Sequence, residues 1–362
     1  MRARIEDSHA PGILGYGHYV PYLRVDTKVF AEQWGVPAQL ERMYRLNGRN
    51  RVAAHAGDED TVTLAVLAAE RALRSTSLSG PICAVLTGSE SHPYAVKPTS
   101  VIVAEALGLT PDVFAVDLQF ACKGGTAAAL ICAAMVRAGM GACALAIGAD
   151  CPQSAPGSLL EASVGAGAAA LVLGPAEESI VRIEATASAS SDTTDFWRRD
   201  GAQFPSVVGK FSVDEGYFAH SERVARALME ATETKPSDYA YCVFHQPYSA
   251  LPSALAKKLG FSAQQVKPGL VASRIGNAYS ASALLALSAV LEQAAPGEKI
   301  LLVSFGSGAG SDGLVLQVTD KLPAYRVHRS EVGLEPVERE LGEDHVDWLS
   351  YGRYARMAGK LW

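Results

Sequence analysis

Two stretches of this chain repeat one another, and that repeat restricts the fold before anything else does. Gly165-Ala-Gly-Ala-Ala-Ala-Leu-Val-Leu173 matches Gly308-Ala-Gly-Ser-Asp-Gly-Leu-Val-Leu316, each a glycine-rich turn entering an apolar run. Ahead of each lies a helical pattern feeding a strand, from Cys122 into 142–148 and from Ser280 into 300–306. Further upstream, Val85-Leu-Thr-Gly-Ser-Glu90 leads through a loop to a helix after Pro98. Its counterpart, Tyr241-Cys-Val-Phe-His245, leads through Gln246-Pro-Tyr to a helix near Pro252. Three matched elements in one order predict two halves of like topology, 1–178 and 179–362, the second ending in a tail from 320.

Short apolar runs alternate with helical patterns, which argues for α/β layering. Strands are expected at 13–16, 82–87, 142–148, 168–173, 240–244, 300–304 and 314–318. Helices are expected at 61–74, 99–107, 123–137, 221–231, 253–259 and 280–293. The composition agrees: 49% of the 362 residues are apolar and only 19% are charged, the balance of a well-buried enzyme. A net charge of −6 argues against nucleic acid as a partner, because phosphate backbones demand a basic face. No apolar run is long enough to span a bilayer, and even 126–136 stops at Arg137. Glu6 and Asp7 precede any apolar run, unlike a secretory signal. The six cysteines form no CxxC pair, so a reducing cytoplasm is expected and a disulfide framework is not. There is no P-loop, HExxH or clustered metal-ligand set, so no metal is expected.

If the repeat holds, Glu90 and His245 occupy equivalent strand ends, and Cys122 and the 277–280 segment occupy equivalent helix starts. Ligands of open α/β sheets gather at the carboxyl ends of strands. Cys122, in Phe120-Ala-Cys-Lys-Gly-Gly-Thr126, is the candidate nucleophile. The helix dipole is expected to lower its pKa, and Gly124 and Gly125 are expected to admit substrate to the backbone. Glu90 is a candidate base whose pKa burial would raise. His245 is a candidate hydrogen-bond donor or acid/base group. Asn277 and the glycine-rich loop 305–310 offer amide donors to a developing oxyanion. His92 stays open as a neighbour of Glu90. His9, His18, His55, His220, His328 and His345 are expected to be structural or exposed.

At these residues the sequence resembles the archaeal branch of the hydroxymethylglutaryl-CoA synthases, within the thiolase superfamily and close to ketoacyl synthase III. The resemblance rests on Gly88-Ser-Glu-Ser-His-Pro-Tyr-Ala-Val-Lys-Pro-Thr99, Phe120-Ala-Cys-Lys-Gly-Gly-Thr126, Ala146-Ile-Gly-Ala-Asp150, Asp195-Phe-Trp-Arg-Arg199, Phe244-His-Gln-Pro247, Ile275-Gly-Asn277 and Ser304-Phe-Gly-Ser-Gly-Ala-Gly-Ser-Asp312. It implies a thiolase-like fold of two pseudo-twofold-related halves in αβαβα layers. It also implies acetylation of Cys122 by acetyl-CoA, enolisation by Glu90, and polarisation of the acetoacetyl-CoA ketone by His245. Asn277, Tyr279, Gly306 and Ser307 would contact substrate or line the oxyanion hole. No cofactor beyond the acyl-CoA substrates is implied. Glu90 separates this chemistry from decarboxylating ketoacyl synthases, which need no such base.

The resemblance further implies a homodimer, work in the mevalonate pathway, and association with a thiolase and a zinc-ribbon/OB-fold protein. The chain departs from the family pattern after Pro247, where Tyr248-Ser249-Ala250 replaces Asn-Gly-Lys and removes a lysine. A ketoacyl-synthase-III-like transferase with another acceptor, and a non-catalytic scaffold for a thiolase, are the alternatives. The tail, with Trp348, Tyr351 and Tyr354 at near-helical spacing, is expected to dock on the protein's own body.

Overall fold

The computed structural model describes residues 2–5, 10–344 and 346–360; Glu6, Asp7, His9 and His345 lie outside them. Nine strands build the main sheet: β1 (Pro11–Tyr19), β2 (Ile82–Gly88), β3 (Phe114–Leu118), β4 (Cys143–Asp150), β5 (Gly167–Pro175), β6 (Val181–Ser190), β7 (Tyr241–Phe244), β8 (Lys299–Gly306) and β9 (Gly310–Val318). Their order is β7-β8-β9-β6-β1-β5-β4-β2-β3, and a short strand at Arg2–Arg4 adds to β6. Outward from the centre, the order β1-β5-β4-β2 mirrors β6-β9-β8-β7. The two sets join where Gly12 pairs with Arg182 and Ile13 with Val181. β3 has no counterpart and forms an edge.

The helices follow from local chemistry. α1 (Thr61–Arg74) begins with a capping box, Asp60 accepting from the Thr63 amide at 2.9 Å while the Thr63 hydroxyl accepts from the Asp60 amide at 2.7 Å. Its Leu64, Ala65, Ala68, Ala69 and Ala72 repeat at helical spacing and are fully buried. α2 (Thr99–Ala106) follows Pro98, and α3 (Gly124–Arg137) follows Cys122. α4 (Ala219–Ala231) and α5 (Ala250–Leu259) belong to the second half, as does α6 (Ser282–Leu291), whose ten residues are all buried. A helix apolar all round needs protein on every side.

Three core clusters separate the layers. One holds α1 with Val85, Leu145 and Val172. A second joins α3 and α6 to the opposite strand faces, through Ala84, Ala146 and Leu171 in one half and Leu302, Leu314 and Leu316 in the other. A third packs Val224 and Leu228 of α4 and Leu255 of α5 on Leu301, Val303 and Val315. The alternation of sides along each strand therefore gives five layers, αβαβα.

Two of the nine main-sheet strands escaped the sequence reading, as did short strands such as Leu23–Asp26 and Arg51–Ala54. β6 alternates buried Val181, Ile183, Ala185 and Ala187 with Arg182 and Glu184, a period-two pattern just past the expected boundary of the halves at 178/179. β3 is short and carries Asp117. The tail docks on the body, as expected, through Lys360. Its ammonium lies 2.9 Å from Glu161 and from Ser154 Oγ, and 2.7 Å from the Tyr354 hydroxyl, all buried. Trp348, however, is not on the tail helix. Asp347–Trp348 pairs with Leu23–Arg24 as a strand, and helix begins only at Tyr351. All six cysteines are free. Among the described residues no helix is long and apolar enough to cross a membrane.

Candidate active site

The carboxyl ends of β2, β4, β7 and β8 bring Glu90, Asp150, His245 and the 306–310 turn around the start of α3. Close backbone contact makes this approach possible. A Cβ on Gly88 would lie 2.0 Å from the Gly124 carbonyl carbon, and one on Gly125 would lie 2.5 Å from Ser280 O. These glycines therefore admit neighbouring backbone; their expected role in admitting substrate is not what the packing uses. Gly306 serves likewise. A Cβ there would meet Phe120 O at 2.7 Å, and Gly306 lines no cavity beside Cys122.

Cys122 Sγ donates to Glu90 Oε1 at 3.1 Å. Ala121 before it sits at φ 48°, a region costly for a non-glycine residue, and this sharp turn sets the thiol ahead of α3. Burial, then the Glu90 carboxylate, push the thiol well above its usual pKa. The expected dipole-lowered thiolate is thus overturned: desolvation outweighs the helix end, and the resting sulfur keeps its proton beside a base. Burial, and next Asp150, raise the Glu90 carboxyl from 4.5 to about 8. Burial lowers His245 to about 3, so its ring is neutral near pH 7, and its Nδ1 has no partner among the described groups. The Tyr217 hydroxyl donates to the His245 carbonyl at 2.8 Å and steadies that strand end.

Cys122, His245, Asn277, Tyr279 and Ser307 line one cavity of about 300 Å³, otherwise largely apolar. Glu90 lies on a neighbouring cavity of about 210 Å³, to which Tyr279 and Ser307 also contribute. Asn277 Oδ1 accepts from the Tyr279 amide at 3.0 Å, holding Tyr279 at φ 43°. The Tyr279 hydroxyl is buried without a partner. His92 is tied to Thr99 at 2.8 Å and lies 3.5 Å from Asp117, away from both cavities.

The residue that sequence reasoning underrated is Asp150. Its carboxylate accepts from Ser89 Oγ and the Glu90 amide at 2.8 Å, from Ser91 Oγ at 2.7 Å, and from the Ser280 amide and hydroxyl at 2.9 and 2.6 Å. One buried carboxylate thereby fixes the base segment to the other half. The available signal was an acid ending an otherwise apolar strand. Asp195, part of a matching segment but given no role, accepts from the Gly308 amide and Ser212 Oγ, both at 2.6 Å, holding the turn beside Ser307. Arg49 was missed too. It lines the Cys122 cavity with its guanidinium 4.0 Å over the Tyr248 ring, so a cation stands near the position of the missing lysine.

A curated hydroxymethylglutaryl-CoA synthase of Methanosarcina acetivorans is 45% identical over 352 residues, 97% of this chain and 98% of that protein. This chain belongs to the hydroxymethylglutaryl-CoA synthase family. The family's Archaeoglobus fulgidus member is 47% identical over 343 residues, 94% of this chain and 98% of its own. Residues 229–318 match the model of the 3-oxoacyl-[acyl-carrier-protein] synthase III C terminal. The fold matches a solved MvaS in complex with 3-hydroxy-3-methylglutaryl coenzyme A, with TM-score 0.83, 24% identity, and 96% and 91% of the two chains covered. It also matches 3-oxoacyl-(acyl carrier protein) synthase III of Pseudomonas aeruginosa, with TM-score 0.79, 22% identity, and 86% and 99% covered. The thiolase-like fold of this family member is therefore established.

Proposed function

We propose that this chain condenses acetyl-CoA with acetoacetyl-CoA to hydroxymethylglutaryl-CoA through an acetyl thioester on Cys122, as a step of the mevalonate pathway. The observation that carries this reading is the Cys122–Glu90 hydrogen bond at 3.1 Å beside a cavity that also holds His245. Glu90 takes the thiol proton as sulfur attacks acetyl-CoA, and CoA leaves as its thiol. Glu90 then removes a proton from the acetyl methyl, a weak acid that a thioester with oxyanion donors brings within reach. The carbanion adds to the ketone carbon of acetoacetyl-CoA. Neutral His245 donates a hydrogen bond to that oxygen, with Asn277, Tyr279 and the turn at Ser307 shaping the pocket. Water finally cleaves the Cys122 thioester. The CoA thioesters are substrates, and no resident cofactor is invoked.

A homodimer fits β3, an edge strand paired on one side only. Exposed Phe114, Ile131 and Met140 stand by an apolar hollow of about 580 Å³ that includes Leu118, Leu130 and Ala134, a face that suits a second copy. The halves 1–178 and 179–362 are taken as the units that bring Cys122 and Glu90 to His245 and Asn277. The free thiols suit a cytoplasmic setting, and a thiolase with a zinc-ribbon/OB-fold protein belongs to the same proposal. The test uses labelled acetyl-CoA followed by acetoacetyl-CoA. Label first on Cys122 and then in hydroxymethylglutaryl-CoA is expected. Label held on Cys122 without that product would point to another acceptor, and a folded protein that takes no label would overturn the reading.

A further inference from the structure

The thiol and the carboxylate touch, yet they face different spaces. Cys122 and His245 line the larger cavity, and Glu90 lines the smaller one. Phe196, Tyr279 and Ser307 line both and form the partition with the Cys122–Glu90 pair. An acyl-CoA that reaches Cys122 through the larger cavity fills it and closes that side to water. Release from Cys122 still requires a water, and a base that takes a methyl proton must exchange it.

The smaller cavity has the chemistry for both. Ser91, Gln119, Gln153 and Arg198 line it with Glu90, and about 210 Å³ accommodates several waters among polar partners. Gln153 and Arg198 are exposed at its rim, whereas Glu90 and Ser91 lie deeper. Ala121, Phe196, Trp197, Pro205 and Tyr279 complete its walls, so the polar groups gather on the side of Glu90.

We propose that this smaller cavity is a water channel that serves Glu90 from behind, carrying protons to and from the base and delivering the water that releases the acyl group. Gln153 and Arg198 are positioning residues at its mouth. In release, Glu90 takes a proton from the water as its oxygen bonds to the thioester carbon. The carbon–sulfur bond breaks, the proton passes to the Cys122 sulfur, and the carboxylic acid departs. This proposal rests on the acyl-enzyme reading given above.

The test loads the full-length protein with trideuteroacetyl-CoA without acceptor and follows three rates by mass spectrometry: thioester formation on Cys122, deuterium loss from the enzyme-bound methyl, and hydrolysis. Gln153→Trp combined with Arg198→Trp narrows the mouth. Formation should stay within about twofold, while deuterium loss and hydrolysis fall tenfold or more. Leu159→Trp, which narrows the larger cavity instead, should slow formation and leave deuterium loss from pre-acetylated protein unchanged. Equal slowing of all three rates in the mouth variant, or no slowing of the last two, overturns the channel. Faster acylation by butyryl-CoA than by acetyl-CoA also overturns it, by making the space an acyl-chain pocket. If the wild type forms no thioester, the function reading falls and the channel with it. If it forms one but the variants show no split, only the channel falls.

Discussion

At the residue scale, the proposed chemistry turns on Glu90. Glu90→Ala should slow formation of the Cys122 thioester, because the thiol loses its proton acceptor, and should lose condensation from pre-acetylated protein by about 100-fold or more, read from single-turnover label transfer. Because its carboxyl is raised to about 8, the basic form appears as pH rises through that value. Deuterium loss from the bound methyl should therefore climb about tenfold per pH unit below 8 and level off above it. Linkage fixes the sign for stability. A carboxyl raised from 4.5 to about 8 contributes stability present below pH 4.5 and lost as pH rises through 8. Glu90→Gln should accordingly gain in Tm relative to wild type between pH 5 and pH 9. His245 is neutral in its buried site, which suits its proposed part as a hydrogen-bond donor. His245→Ala should raise the KM for acetoacetyl-CoA and leave thioester formation unchanged. Cys122, Glu90 and His245 were legible in the sequence because each is a reactive side chain at a predicted element boundary. The thiol's protonation was not, since it depends on burial and on a carboxylate 32 positions away meeting it across the fold.

At the element scale, β9 and the start of α3 are locked by a buried ion pair. Lys123 Nζ lies 2.9 Å from both oxygens of Asp312, and Asp312 also accepts from Ser188 Oγ at 2.6 Å. Lys123→Met alone leaves a buried carboxylate without its cation and should cost about 3–5 kcal/mol, measured by denaturant unfolding. Lys123→Met with Asp312→Leu should recover most of that loss. Glycine contacts give a second prediction. Gly88→Ala places a methyl against the Gly124 backbone, where nothing flexible can yield, so it should lower Tm and slow Cys122 acylation together. Periodicity revealed the long elements, such as α1 and α6, because one face or the whole surface had to be apolar. β6 hid because its outward residues are charged, and the turn at Ser212–Phe218, wound as a π-helix, carries no such signature.

At the scale of the whole molecule, the exposed edge of β3 leads to one measurement. Sedimentation should give about twice the mass of one chain, and Phe114→Lys should shift the protein toward monomer by placing charge on the shared face. The repeat was readable because both halves solve the same packing problem with the same small residues. Which residues cross between them was not, since Asp150 reaches Ser280 over 130 positions. The mirrored strand order has one more consequence. A symmetric ancestor would own two equivalent reaction centres, whereas here the acid and the sulfur stand on one side and the imidazole on the other. Neither portion alone holds the whole proposed centre, so the two made as separate chains should acylate and condense only when mixed.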